Sequence, residues 1–201
     1  HLYYTNNVDD ITKADIILLP GSKNTLDDLY ELRRNGVAQA ILKASQEGAT
    51  VMGICGGYQM MGLEVRDPEG VEGNVRMLPG LGLLPVITTM QGDKVTRQVE
   101  FTFDGTEALC KGYEIHMGRT VPAEGSPPSP FNQLADGRED GYQDKQKKCL
   151  GTYIHGILDN QPFIDFLLAP YIGKLGQQTF DYTAFKEEQY DKLAEHVRKH
   201  I

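Results

Sequence analysis

Between Thr50 and Gln59 the chain reads Thr-Val-Met-Gly-Ile-Cys-Gly-Gly-Tyr-Gln, an apolar run that breaks into a Gly-x-Cys-x-Gly turn. A short apolar run ending in a turn reads as a buried strand over Thr50–Ile54, and the pattern from Gly56 through Leu63 reads as helix. A strand that bends sharply into a helix holds the corner residue in a strained, outward position. Side chains two residues before and two after it would collide as the elements pass. Gly53 and Gly57 occupy those two positions. Such a corner needs a parallel sheet around it.

The preceding sequence supplies one. Ala14–Leu19 is an apolar run closed by Pro20-Gly21, a second buried strand ending in a turn. Leu26, Leu29, Tyr30 and Leu32 then recur at helical spacing up to Asn35-Gly36, and a second helix fits Val37–Gln46, stopped at Gly48. Lys23 and Asn24 either cap the first helix or line a cleft. His1–Tyr4 fits a short additional strand. Strands alternating with helices imply a parallel sheet covered on both faces.

Beyond Gly73 the texture changes. Leu81–Met90, Lys94–Phe103, Gly112–Thr120 and Phe131–Leu134 are β-like stretches divided by turns, so antiparallel strands are expected to join the sheet. The proline-rich Val121–Pro130 and the polar Gly137–Lys148 read as loops. Leu150–Ile154 reads as a strand ending in His155-Gly156, a helical pattern surrounds Phe163–Leu168, and Asp181–His200 reads as a charged terminal helix.

Composition excludes several function classes. The net charge of −8 gives no general attraction to nucleic acid or anionic lipid. Cys55, Cys110 and Cys149 are odd in number and lack Cys-x-x-Cys spacing, which argues against a disulfide framework or a structural zinc site and favours a reducing cytoplasm. No apolar run reaches the ~18–20 residues of a membrane span, and the N-terminus lacks the build of a signal peptide. No metal site is expected. The 22 glycines exceed the usual ~7% share and gather partly at the proposed turns.

Chemistry converges on Cys55. A free cysteine is often only a small buried hydrophobe, but the flanking glycines set this one apart. At a helix start its thiol would meet backbone N–H groups and the positive dipole end, which favour thiolate, and the Gly56 N–H would point where an oxyanion develops. A thiol nucleophile needs a proton shuttle, and histidine titrates in the right range. His196 and His200 fall on the terminal helix and His1 is terminal. His155, after a strand and before Gly156, would stand at the sheet's C-terminal rim, where open α/β sheets place their sites. His116 shares a strand face with Glu114 and either faces the site or lies on a surface strand. Cys110, Cys149, Met60 and Met61 are expected to be packing residues.

Gly53–Gly62 (GICGGYQMMG) resembles the nucleophile segment of class I, or triad, glutamine amidotransferases. With Leu19–Thr25 (LPGSKNT), Tyr113–Thr120 (YEIHMGRT) and Gly151–Gly156 (GTYIHG), the chain is similar to the glutaminase domains of the cobyric acid synthase family. Four motifs in order make the resemblance specific. It implies an α/β, flavodoxin-like three-layer fold with a mostly parallel central sheet and added antiparallel strands. It also implies glutamine hydrolysis, with Cys55 as nucleophile, His155 as proton shuttle, Gln59 helping to hold substrate, and the Gly21-Ser22 turn adding a second oxyanion N–H. His116 is the further candidate for substrate binding.

One position departs from the wider class, which places glutamate two residues after the histidine. Here that residue is Ile157. Asp159 and Glu114 are then candidates to orient His155, as are a backbone carbonyl, water or a residue of another domain.

The resemblance further implies a single domain over residues 1–201, truncated at its N-terminus, as the start at His1 suggests. Its expected partner is a dethiobiotin synthetase-like domain of the same protein that binds ATP, magnesium and a corrinoid. The sequence holds no Gly-x-x-x-x-Gly-Lys-Ser/Thr phosphate loop, so the chain is expected to make ammonia but not to activate a carboxylate. The alternatives are a subunit for peptidoglycan (lipid II) amidation and a non-catalytic docking or regulatory module of the same fold.

Overall fold

A computed structural model describes residues 1–174 and 182–200. In chain order the elements are α1 (Val8–Ile11), β1 (Ile16–Leu19), α2 (Thr25–Arg34), α3 (Val37–Gln46), β2 (Thr50–Ile54), α4 (Gly56–Met61), β3 (Glu64–Arg66), β4 (Met77–Pro79), β5 (Val86–Phe103), β6 (Cys110–Pro122), β7 (Asn132–Leu134), β8 (Glu139–Asp140), β9 (Tyr142–Asp144), β10 (Cys149–Thr152), β11 (Ile154–His155), α5 (Gln161–Leu168) and α6 (Tyr182–His200). They form two compact units, His1–His155 and Gly156–Ile201.

The first unit holds two sheets. One has the order β1-β2-β10-β9, with β1, β2 and β10 parallel and β9 antiparallel. The second runs β11-β6-β5-β3-β4, with β7 paired to β5 and β8 to β7. Antiparallel strands were expected to widen the parallel sheet. Instead most of them build a second sheet around one long β5–β6 ribbon. The stretches Leu81–Met90 and Lys94–Phe103 merge into β5, which carries a bulge between Met90 and Val95, while Leu81–Leu84 stay outside it.

Local chemistry explains the helix ends. Asn24 accepts from the Asp27 N–H as the N-cap of α2, Asp27 and Asp28 sit in its first turn, and Arg33 and Arg34 in its last. Lys23 is exposed. Helix α3 starts after left-handed Gly36 and lays Val37, Ala38, Ala40, Ile41 and Ala44 into the core. With Leu26, Leu29, Val51, Met60, Met61 and Leu84 they form one apolar cluster. Met60 and Met61 are packing residues, as expected, and all three cysteines are buried and free.

Three expectations need correction. His1–Tyr4 forms no strand; its side chains are exposed and make no ladder. The polar Gly137–Lys148 carries β8 and β9, because buried Asp140 and Tyr142 anchor a segment whose other residues are mostly exposed or half-buried. The strand expected over Leu150–Ile154 is broken at Tyr153: β10 pairs with β2 in the first sheet, β11 with β6 in the second. The chain therefore changes sheets just before His155.

In the second unit, α5 carries Pro162 in its first turn and buries Phe163 and Leu167. Helix α6 ends in Arg198, Lys199 and His200, with His196 and His200 exposed. Asp181, expected at its start, lies outside the described residues. No described helix is long and apolar enough to cross a membrane.

Candidate active site

Cys55 stands between β2 and α4 with φ 53° and ψ −113°, a left-handed conformation that costs a residue with a Cβ on the order of 1–3 kcal/mol. Close packing imposes the corner. A Cβ on Gly53 would lie 2.6 Å from the Tyr58 nitrogen, and one on Gly57 would fall within the Leu19 backbone. The Cys55 N–H donates to the Thr152 carbonyl at 2.8 Å, which ties the corner to β10.

Two further segments close on the thiol. A Cβ placed on Gly21 would be 3.6 Å from Cys55 Cβ and 3.2 Å from His155 Cε1, so the turn after β1, the cysteine and the imidazole meet around one point. The Ser22 nitrogen lies 2.7 Å from where a Cβ on Gly56 would stand. The backbone at Gly56 and at Gly21-Ser22 thus converges beside Cys55.

The resting electrostatics differ from expectation. Burial pushes the Cys55 thiol up, the Gly56 N–H pulls it partly back, and the Glu72 carboxylate adds to the rise. Helix α4 has only six residues, and its dipole does not outweigh desolvation. Cys55 rests as a thiol and points its proton at the Ile115 carbonyl, 3.6 Å away. Burial lowers His155, neighbouring His116 lowers it further, and a hydrogen bond to the Ile115 carbonyl opposes both. Its Nε2 is buried without a hydrogen-bond partner. A neutral imidazole therefore faces a protonated thiol, the pairing a general base requires.

The remaining candidates are placed as follows. Glu114 is 4% exposed and held by Arg97 at 3.1 Å and Arg138 at 2.9 Å. Burial opposes its ionisation, yet His116, Arg138 and Arg97 bring the carboxyl down to about 2. Asp159 belongs to the second unit, where it pairs with Lys186 at 2.9 Å. His116 shares the Glu114 face, with its Nε2 3.7 Å from Glu114 Oε1, beyond hydrogen-bond distance, and its ring stacked on Tyr153 at 3.8 Å. Gln59 is 2% exposed; its oxygen accepts from Thr25 Oγ1 at 2.8 Å and its amide donates to the Tyr153 hydroxyl at 3.2 Å. Among the described residues no three His, Cys, Asp or Glu side chains group as metal ligands.

Sequence reasoning missed Glu72, Asp140 and Tyr153. Glu72 accepts from the Thr25 N–H at 2.7 Å and holds the start of α2. Asp140 is buried and accepts from Asn132 and from the Tyr153 N–H at 3.1 Å, fixing the point where the chain changes sheets. Neither sits in a recognisable spacing. Tyr153 lay inside the quoted GTYIHG, and the signal there was the polar tip of an aromatic at a strand end.

Comparison with known proteins agrees with this geometry. The CobB/CobQ-like glutamine amidotransferase domain matches residues 1–163. The chain is 70% identical over its whole length to a protein of Phocaeicola vulgatus named cobyric acid synthase, 69% identical to one of Bacteroides fragilis and 42% to one of Syntrophobacter fumaroxidans, both so named. It spans 40–42% of the length of these relatives, corresponding to their C-terminal part. A crystal structure of a glutamine amidotransferase shares the fold with TM-score 0.58 and 16% identity over 82% of this chain and 83% of its own. PurLQS of Thermotoga maritima shares it with TM-score 0.53 and 18% identity over 74% and 72%. With a cysteine corner, a neutral histidine and converging backbone amides on a shared fold, the chain belongs to the family of CobB/CobQ-like glutamine amidotransferase domains.

Proposed function

We propose that Cys55 and His155 hydrolyse the side-chain amide of glutamine, and that the complete protein uses the ammonia as a cobyric acid synthase. The observation that carries the reading is the meeting of Cys55, His155 and the Gly21-Ser22 turn around one point, with the Gly56 backbone against Ser22.

His155 takes the Cys55 proton as Sγ attacks the amide carbon, and the new C–S bond makes a tetrahedral oxyanion. The N–H groups of Gly56 and of the Gly21-Ser22 turn receive that charge, an interaction absent from the flat ground state. Collapse breaks the C–N bond, and the proton on His155 leaves with ammonia. Water then attacks the γ-glutamyl thioester, giving its proton to His155. Release of glutamate breaks the C–S bond and returns the proton to sulfur. Two moderate steps replace one difficult one.

Gln59 acts on substrate through its neighbours in this reading: anchored by Thr25 and Tyr153, it locks the turn after β1 against α4. His116 borders the imidazole. The high identity to proteins named cobyric acid synthase supports amidation of the b, d, e and g carboxylates of adenosylcobyrinic acid a,c-diamide. ATP and magnesium chemistry falls to the rest of the complete protein, since this sequence has no phosphate-loop motif. Three free cysteines fit a cytoplasmic setting.

The test supplies the complete protein with amide-¹⁵N glutamine, ATP, magnesium and the a,c-diamide corrinoid. Four labelled nitrogens in the product are expected. Glutamine hydrolysis without transfer to the corrinoid rejects the substrate and keeps the glutaminase.

A further inference from the structure

Class I relatives are expected to orient the histidine with a carboxylate, and here that position is Ile157. Glu114, the acidic residue in register with Ile154, is held by two arginines. The imidazole must be held by something else.

Strand β6 lies along it. His155 pairs with Tyr113 in the β6–β11 ladder, and the two rings stack with centroids 5.1 Å apart and planes 10° apart. Tyr113 is 47% exposed, so core packing does not account for its position. Two residues on, the Ile115 carbonyl faces the Cys55 thiol at 3.6 Å. The His155 Nε2 is buried without a hydrogen-bond partner. The ionisable groups around the ring are Cys55, His116 and Tyr113, with Glu114 beyond His116.

Resting on the glutaminase reading, we propose that Tyr113 is a positioning residue for His155: its ring fixes the imidazole plane. Strand β6 thereby does the work of the missing carboxylate. A carboxylate would also stabilise the imidazolium; a stacked neutral ring does so less. The hydroxyl has no part, and any flat ring at position 113 serves.

The test compares Tyr113→Phe, Tyr113→Leu and Tyr113→Met in the complete protein, measuring kcat, KM and the pH profile of glutamine hydrolysis with thermal unfolding as a control. Tyr113→Phe is expected to keep kcat within about twofold. The Leu and Met variants are expected to lose about ten- to a hundredfold in kcat with KM unchanged, because a small misplacement of a reacting group costs that much. Their acid limb is expected to move up as water reaches the ring. Full kcat and an unmoved limb in a folded Leu or Met variant would overturn the proposal, as would a loss in Tyr113→Phe equal to that in Tyr113→Leu. If the parent protein neither hydrolyses glutamine nor reacts at Cys55, the glutaminase reading falls, and the role of Tyr113 with it.

Discussion

Thr25 donates its hydroxyl to the Gln59 side-chain oxygen at 2.8 Å, joining the first turn of α2 to the helix behind Cys55. The bond is buried, and Glu72 accepts from the same threonine. It ties the segment that follows Ser22 to the helix that starts at Gly56, the two stretches whose N–H groups the proposed mechanism uses. Thr25→Val keeps the shape and removes the donor, leaving a buried acceptor unpaired at a cost of about 1–3 kcal/mol. Urea unfolding should show that loss, and Thr25→Ser should recover most of it.

Gly57→Ala is expected to be far more damaging. Its new methyl group would stand inside the Leu19 backbone, which cannot swing aside as a side chain could. Destabilisation above about 4 kcal/mol, or failure to accumulate as soluble protein, is expected. Gly92→Ala, where a Cβ meets nothing within 4 Å, should unfold within about 1 kcal/mol of the parent.

Glu114 gives a pH signature of stability. Its carboxyl stands at about 2 when folded and near ~4.3 when unfolded, so its contribution is complete above the unfolded value and is lost as pH falls through the folded one. The shift corresponds to on the order of 3 kcal/mol. Denaturation of Glu114→Gln against the parent should show a gap of about that size at pH 7, shrinking below pH ~4. A gap that does not change with pH would mean that packing, not charge, is what Glu114 supplies.

Activity should report the lowered imidazole. In the proposed mechanism His155 must be neutral to accept the thiol proton, and burial with His116 beside it pushes its protonation below the ordinary ~6.5. The acid limb of kcat/KM for glutamine is therefore expected below pH ~6.5. His116→Gln removes one cause of the lowering and should move the limb upward.

Elements with strong local patterns were legible in the sequence. Helix α3 runs over Val37–Gln46 and strand β2 over Thr50–Ile54, because periodicity and turn residues agree there. The corner at Cys55 was legible through sterics, since Gly53 and Gly57 are required by backbone contacts that any such turn makes. What escaped depends on partners distant in sequence. Asp140 looks like a loop residue until Asn132 and Tyr153 close on it, and Glu72 has no meaning until α2 starts against it. The thiol's state was misjudged for the same reason: a helix start is visible in sequence, whereas the burial that outweighs it comes from Ile115 and other distant segments.

The most direct measurement is mass-spectrometric mapping of a glutamine-mimicking diazoketone on the complete protein, comparing the parent with Cys55→Ser and His155→Ala. One adduct on the Cys55 peptide is expected, absent in Cys55→Ser and slowed at least a hundredfold in His155→Ala, within the range expected for a lost general base. Labelling at Cys110 or Cys149 instead, or no labelling of Cys55 in the folded parent, would contradict the account.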